Sequence, residues 1–173
     1  MRKKKGFSLI ELLIVVAIIL IIAAIAIPSL LRSRMLANQS AAASTVRTLV
    51  TAEATYLSTY GLTNGYANAL ASLGPGGAAC PVAPAIPPAT AACLIDGVLA
   101  AGAKGGYKYL VTAGGGVAPA GPANFVISTT PQAPGSTGIN DYCATDDGVV
   151  FVLTPPGGNV SYPAPCPGIV LQN

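Results

Sequence analysis

From Leu9 to Ile27 the chain is apolar at every position except Glu11, a run of 19 residues. As an α-helix rising about 1.5 Å per residue it would cover roughly 28 Å, the thickness of the hydrocarbon core of a bilayer. A helix apolar on all sides is either a membrane span or the buried helix of a soluble protein, and at this length the membrane span is the reading expected. Arg2, Lys3, Lys4 and Lys5 precede it, and such a basic cluster holds the N-terminus on the cytoplasmic side and sends the rest of the chain outward. The run exceeds the usual h-region of a signal peptide and no small-residue cleavage site follows it, so it is expected to remain in the mature protein. Glu11 is the exception within it. An unpaired carboxylate deep in such a segment costs about 2 to 3 kcal/mol and calls for a cationic partner.

Composition narrows the function further. The chain has 173 residues, one domain with an appendage by length. It contains neither histidine nor tryptophan, which removes imidazole catalysis, His-containing zinc sites and His-ligated haem. No enzyme activity and no cofactor is expected. Charged residues make up only 9%, against about 25% in ordinary soluble domains. Of nine basic residues four lie before Gly6, and without them five face six acidic ones. Nothing in that balance makes a nucleic-acid site.

Beyond Pro28 the chain remains compatible with helix to Tyr60. Leu31, Met35, Ala42, Val46, Leu49, Val50, Leu57 and Tyr60 recur at spacings near three and four, an amphipathic stripe. Pro28 lacks an N–H and crowds the preceding turn, so a kink is expected there. Gly61 is the expected C-cap. A helix from Phe7 to Tyr60 would be roughly 80 Å long, more than one small domain can bury, so its first half is expected to protrude. Tyr56 and Tyr60 share a face and read as core packing, and Arg32, Arg34 and Arg47 as interfacial charge.

From Leu62 onward glycine, proline, alanine and tyrosine dominate, with a loop-rich stretch to about Lys104. Tyr107–Ala113, Asn124–Thr130, Val149–Thr154 and, more weakly, Asn140–Ala144 are strand candidates between Gly and Pro clusters. The fold class expected is α+β: a long N-terminal helix packed on a small antiparallel sheet. Cys80, Cys93, Cys143 and Cys166 all lie beyond the membrane run, on the oxidising side, and two disulfides are expected. Of three connectivities the sequential one, Cys80 with Cys93 and Cys143 with Cys166, closes two local Pro/Gly-rich loops and is preferred. A four-thiolate metal site is the rival, disfavoured by spacings without a CxxC pair.

Weaker patterns remain. Asp141, Asp146 and Asp147 have the hard oxygen ligands of a Ca²⁺ site, but Asp146-Asp147-Gly148 equally reads as a turn between strands, the preferred reading. Lys104 and Lys108 beside Tyr107 and Tyr109 suggest a stacking platform or, preferably, a strand end with exposed lysines. Gly97 to Lys104 falls short of a phosphate loop because its lysine is displaced and no Ser or Thr follows. Asn38 and Asn159 begin glycosylation sequons, of which only Asn159 lies off the helix.

The block Lys5-Gly6-Phe7-Ser8-Leu9-Ile10-Glu11-Leu12-Leu13, after the basic leader and before the apolar run, resembles the class III signal of type IV prepilins and pseudopilins. The resemblance implies cleavage between Gly6 and Phe7 by a prepilin peptidase, N-methylation of Phe7, and pairing of Glu11 with the terminal amine of a neighbouring subunit. Pro28 lies where many pilins have a helix-kinking proline, whereas Leu20 replaces a glycine found in many relatives. Thr130 to Gly135 and Asp146 to Val150 resemble the ends of several pilin heads, and the acidic residues partly resemble a calcium loop of secretion pseudopilins. By this resemblance residues 1–6 are a leader, 7–31 a transmembrane and filament-core helix, 32–61 the helix half packed in the head, and 62–173 the β head. The function implied is a structural subunit of a type IV pilus-like filament, a helical homopolymer. The inner membrane would hold the precursor, and prepilin peptidase and the pilus assembly machinery would be its partners. The alternatives are a periplasmic type II secretion pseudopilin, a minor pilin with a ligand- or DNA-binding head, and an uncleaved signal-anchor protein.

Overall fold

The computed structural model describes residues 8–77, 80–81, 85–114, 124–153 and 166. It divides into two compact units, Met1–Arg34 and Met35–Asn173. Helix α1, Leu9–Asn64, continues through Pro28. The N-terminal unit carries its apolar side chains on the surface: Leu9 is 80% exposed, and Leu12, Leu13, Ile19, Ile22 and Ile27 are exposed with it. Among the described residues α1 is the one helix long and apolar enough to cross a membrane.

The second unit is an α+β head. After α1 come two single-turn helices, α2 (Leu70–Leu73) and α3 (Gly97–Ala100), then β1 (Ala103–Lys104), β2 (Tyr107–Gly114), β3 (Asn124–Pro131), β4 (Asp141–Thr145) and β5 (Val150–Leu153). The five strands form one antiparallel sheet in the order β1-β2-β3-β4-β5, a plain meander. Tyr107 pairs with Pro131 at one end of the β2–β3 ladder and Gly114 with Asn124 at the other. All four expected strands are present within a residue or two at the described positions; Thr154 lies outside them. Val, Ile, Tyr, Phe and Thr fill the strands because branched and aromatic side chains pack well on a pleated surface.

Strand alternation places Tyr107, Tyr109 and Val111 of β2, Phe125 and Ile127 of β3, and Tyr142 and Ala144 of β4 in one core with Ala42, Val46, Leu49 and Tyr56 of α1. Each large apolar side chain buried there contributes about 1.5 to 3 kcal/mol. The opposite side of β4 is also buried and carries Cys143. Along α1, Thr45, Thr48, Thr51, Thr55 and Thr59 each donate a hydroxyl hydrogen bond to the carbonyl four residues earlier. Those bonds satisfy the hydroxyls of residues that otherwise favour strands.

The structure corrects two expectations for the helix. It ends at Asn64, one turn beyond Tyr60, and Gly61 lies inside it. The stop is Gly65, whose φ of 63° is the left-handed conformation that glycine adopts without a Cβ penalty and whose N–H donates to the Gly61 carbonyl at 3.2 Å. The buried stripe also runs through Tyr56 and not Leu57, which is 37% exposed. Between Leu49 and Tyr56 it passes through Glu53, the side chain that composition alone hides among alanines and threonines.

Candidate functional site

The candidate site is the start of α1. Gly6 and Phe7 lie outside the described residues. Ser8 stands at the N-cap position: its carbonyl accepts the N–H of Glu11 at 3.1 Å and that of Leu12 at 3.3 Å. Glu11 Oε2 in turn accepts the backbone N–H of Ser8 at 2.9 Å. This is one arm of a capping box, Ser-x-x-Glu, in which a carboxylate satisfies a donor the helix leaves open and sits favourably at its positive end. Glu11 is exposed and lies within two turns of Leu9, Leu12 and Leu13, also exposed. The second carboxylate oxygen has the capacity for a further donor. Chemically the segment can present one anion in an apolar surface, an arrangement that selects a cation placed at the same depth in an apolar partner.

The head residues singled out by sequence play structural parts. Cys80 is bonded to Cys93 and Cys143 to Cys166, with Cα separations of 5.8 and 5.7 Å. The second bond fastens the chain to the middle of β4. Asp146-Asp147-Gly148 is a turn: Gly148 donates to the Thr145 carbonyl at 2.9 Å and has a φ of 77°. Asp147 Oδ1 accepts from the Thr145 hydroxyl and from the Val149 N–H, which together hold its carboxyl below the usual range, the hydroxyl foremost. Asp141 is buried on β4, and burial raises its carboxyl to about 6. Among the described residues no group of three or more Cys, Asp or Glu side chains is placed to hold a metal.

The rings of Tyr107 and Tyr109 are buried, so neither offers a face for a nucleic-acid base. Lys104 forms an exposed ion pair with Asp96 at 2.6 Å, and Asp96 also caps α3 by accepting the N–H of Leu99. Gly97–Ala100 is that short helix, not a phosphate loop. Tyr56 and Tyr60 pack with ring centroids 4.9 Å apart and donate to the carbonyls of Ala89 and Pro87, at 3.0 and 2.6 Å. Asn38, on the helix, donates to the Thr137 carbonyl at 3.1 Å. Asn159 lies outside the described residues.

Glu53 is the functional candidate that sequence reasoning missed. It is fully buried, and its Oε2 accepts the Ala67 N–H at 2.9 Å. Its spacing of four from Leu49 and three to Tyr56 is the signal that could have found it.

Residues 1–27 match the family model described as the prokaryotic N-terminal methylation motif. The type IV wide pilus major component PilA4 of Thermus thermophilus is 62% identical over 40 residues, 23% of this chain and 30% of that protein. The type IV major pilin protein PilA of Myxococcus xanthus is 46% identical over 56 residues, 32% of this chain and 26% of that protein. The chain thus spans less than a third of either relative, and no solved structure matches it. In signal motif and in the helix that follows, this chain is similar to the type IV pilins.

Proposed function

We propose that the chain is the structural subunit of a type IV pilus-like extracellular filament. The observation that carries this reading is the methylation motif running directly into a helix whose apolar side chains are exposed along its first turns. Before assembly the lipid bilayer covers that surface. Cleavage after Gly6 leaves Phe7 as a new, N-methylated terminus, still cationic. In the filament, helices from successive subunits replace lipid contacts with protein contacts, and the Phe7 amine of one subunit meets Glu11 of another. A carboxylate that would cost several kcal/mol alone in an apolar core is offset by that cation, so the pair sets register as the subunits stack. Pro28 supplies the kink, and the heads, stapled by two disulfides, form the outer surface of an open head-to-tail polymer. A prepilin peptidase and the pilus assembly machinery act on the chain from the inner membrane, in which it waits as a single-pass, N-in precursor.

The test is intact-mass and N-terminal analysis, under non-reducing conditions, of protein sheared from the cell surface and of the membrane fraction. A chain beginning at N-methyl-Phe7 and four hydrogens lighter than its reduced form, present in the sheared fraction, supports the pilin. The same species confined to membranes points to the pseudopilin. A retained Met1 leader overturns the assembly reading. Glu11→Ala should leave cleavage and insertion intact and abolish filament yield; normal yield would remove Glu11 from the mechanism.

A further inference from the structure

Glu53 sits between Leu49 and Tyr56 in the buried stripe of α1, out of contact with solvent. Its Oε2 accepts the Ala67 N–H, while Oε1 has no hydrogen-bond partner among the described residues. A carboxylate offers about four acceptor sites, so one donor leaves it far from satisfied as an anion. The ionisable groups facing it give no relief. On α1 it faces Tyr56, which in turn faces Tyr60; on the connection that follows it faces Tyr66. Tyr66 also faces Asp146 of the β4–β5 turn and packs edge-on against Phe125 of β3, with ring centroids 4.8 Å apart. All of these groups are neutral or negative. Burial raises the Glu53 carboxyl to about 7 against the downward pull of the Ala67 N–H, and no lysine or arginine among the described residues contributes.

We propose that Glu53 is a proton-operated latch, which as the neutral acid holds the Gly65–Ala69 connection against α1 and on losing its proton releases that connection to water. The geometry gives the latch a moving part. Ala67 is tied by its N–H to this side chain, outside any helix or strand. Beside it lies a cavity of about 220 Å³ lined by Tyr56, Asn64, Tyr66, Asn68, Ser72 and Thr90, polar enough to admit water. An ionised Glu53 needs further donors, and water from this cavity is a nearby supply. Bringing it to Oε1 displaces Tyr66 or the Ala67 backbone, and with Tyr66 goes its contact with Phe125. The consequence is a head whose helix and sheet are pinned together at mildly acidic pH and loosened at this corner above neutrality.

The experiment is amide hydrogen exchange on the full-length chain in detergent micelles between pH 5.5 and 8.5, corrected for intrinsic rates. The readout is protection at Ala67 relative to protection at Leu49. One pH unit above the midpoint is a tenfold change in the ionised ratio, so relative protection in the wild type should fall roughly thirty-fold by pH 8.5. Glu53→Gln keeps an acceptor for Ala67 but cannot ionise, and its relative protection should stay flat. A flat wild-type profile, or the same fall in Glu53→Gln, overturns the latch. Should that variant not fold, the ¹³C shift of the wild-type Glu53 carboxyl decides: titration near neutrality together with the loss of protection supports the latch, and titration in the ordinary carboxylate range overturns it.

Discussion

Gly138, in the loop between β3 and β4, is buried beneath the ring of Tyr107. A Cβ at this position would run into the Tyr107 hydroxyl and would lie 2.6 Å from Cζ and 3.0 Å from Cε2. Tyr107 is fully enclosed and its hydroxyl donates to the Asn140 carbonyl at 3.1 Å, so the ring has no free direction in which to yield. Gly138→Ala therefore forces overpacking, which costs about 1 to 3 kcal/mol, and breaks a hydrogen bond worth about 1 kcal/mol. Since φ at Gly138 is not positive, restricting the unfolded chain returns about 0.4 to 1 kcal/mol. A net loss of about 2 kcal/mol is expected. Tyr107→Phe alone should cost about 1 kcal/mol. In the double variant the closest atom is gone and the hydrogen bond is lost only once, so the combined cost should fall short of the sum by at least about 1 kcal/mol. Urea denaturation of the four proteins, followed by tyrosine emission in this tryptophan-free chain, measures the cycle. Strict additivity would refute the clash on which the reasoning rests.

Other outcomes follow from the same packing. Cys166→Ser opens a loop of sequence separation 23 and should lower stability by about 3 kcal/mol, read as a shift in urea midpoint under non-reducing conditions. Gly65→Ala puts a Cβ on a residue with φ of 63° and should cost about 1 kcal/mol, whereas Ser58→Ala at an exposed α1 position should not. The raised carboxyl of Asp141 makes the folded state hold a proton that the unfolded state releases. Its stabilising effect is complete below the usual Asp range and is lost as pH rises through about 6, so Asp141→Asn should flatten the melting-temperature profile between pH 4 and 7.

What could be read in advance depended on how strongly a residue pattern was saturated. Leu9 to Ile27 offers no side on which the helix could be partly wet, and Asn124–Thr130 is too rich in branched side chains to favour anything but a strand. The single-turn helices α2 and α3 are shorter than any periodicity can reveal. The helix end is not legible because Gly61 and Gly65 look alike in sequence, and only the backbone shows which one is left-handed. Glu53 is hidden for a different reason. Its burial depends on where the Gly65–Ala69 connection folds back, a long-range fact that no local propensity encodes.

The order of the strands in the sheet has a kinetic side. In β1-β2-β3-β4-β5 every strand pairs with its neighbour in sequence, and each disulfide closes a loop of only 13 or 23 residues. Loop closure over short separations is entropically cheap, so the sheet can zip hairpin by hairpin without a distant partner. Docking onto α1 is the step that spans the greatest sequence distance, joining Ala42 and Val46 to Ile127 and Tyr142. A helix finding a sheet already half formed is then the step in which the stripe of α1 engages, and substitutions there should slow folding as well as hasten unfolding.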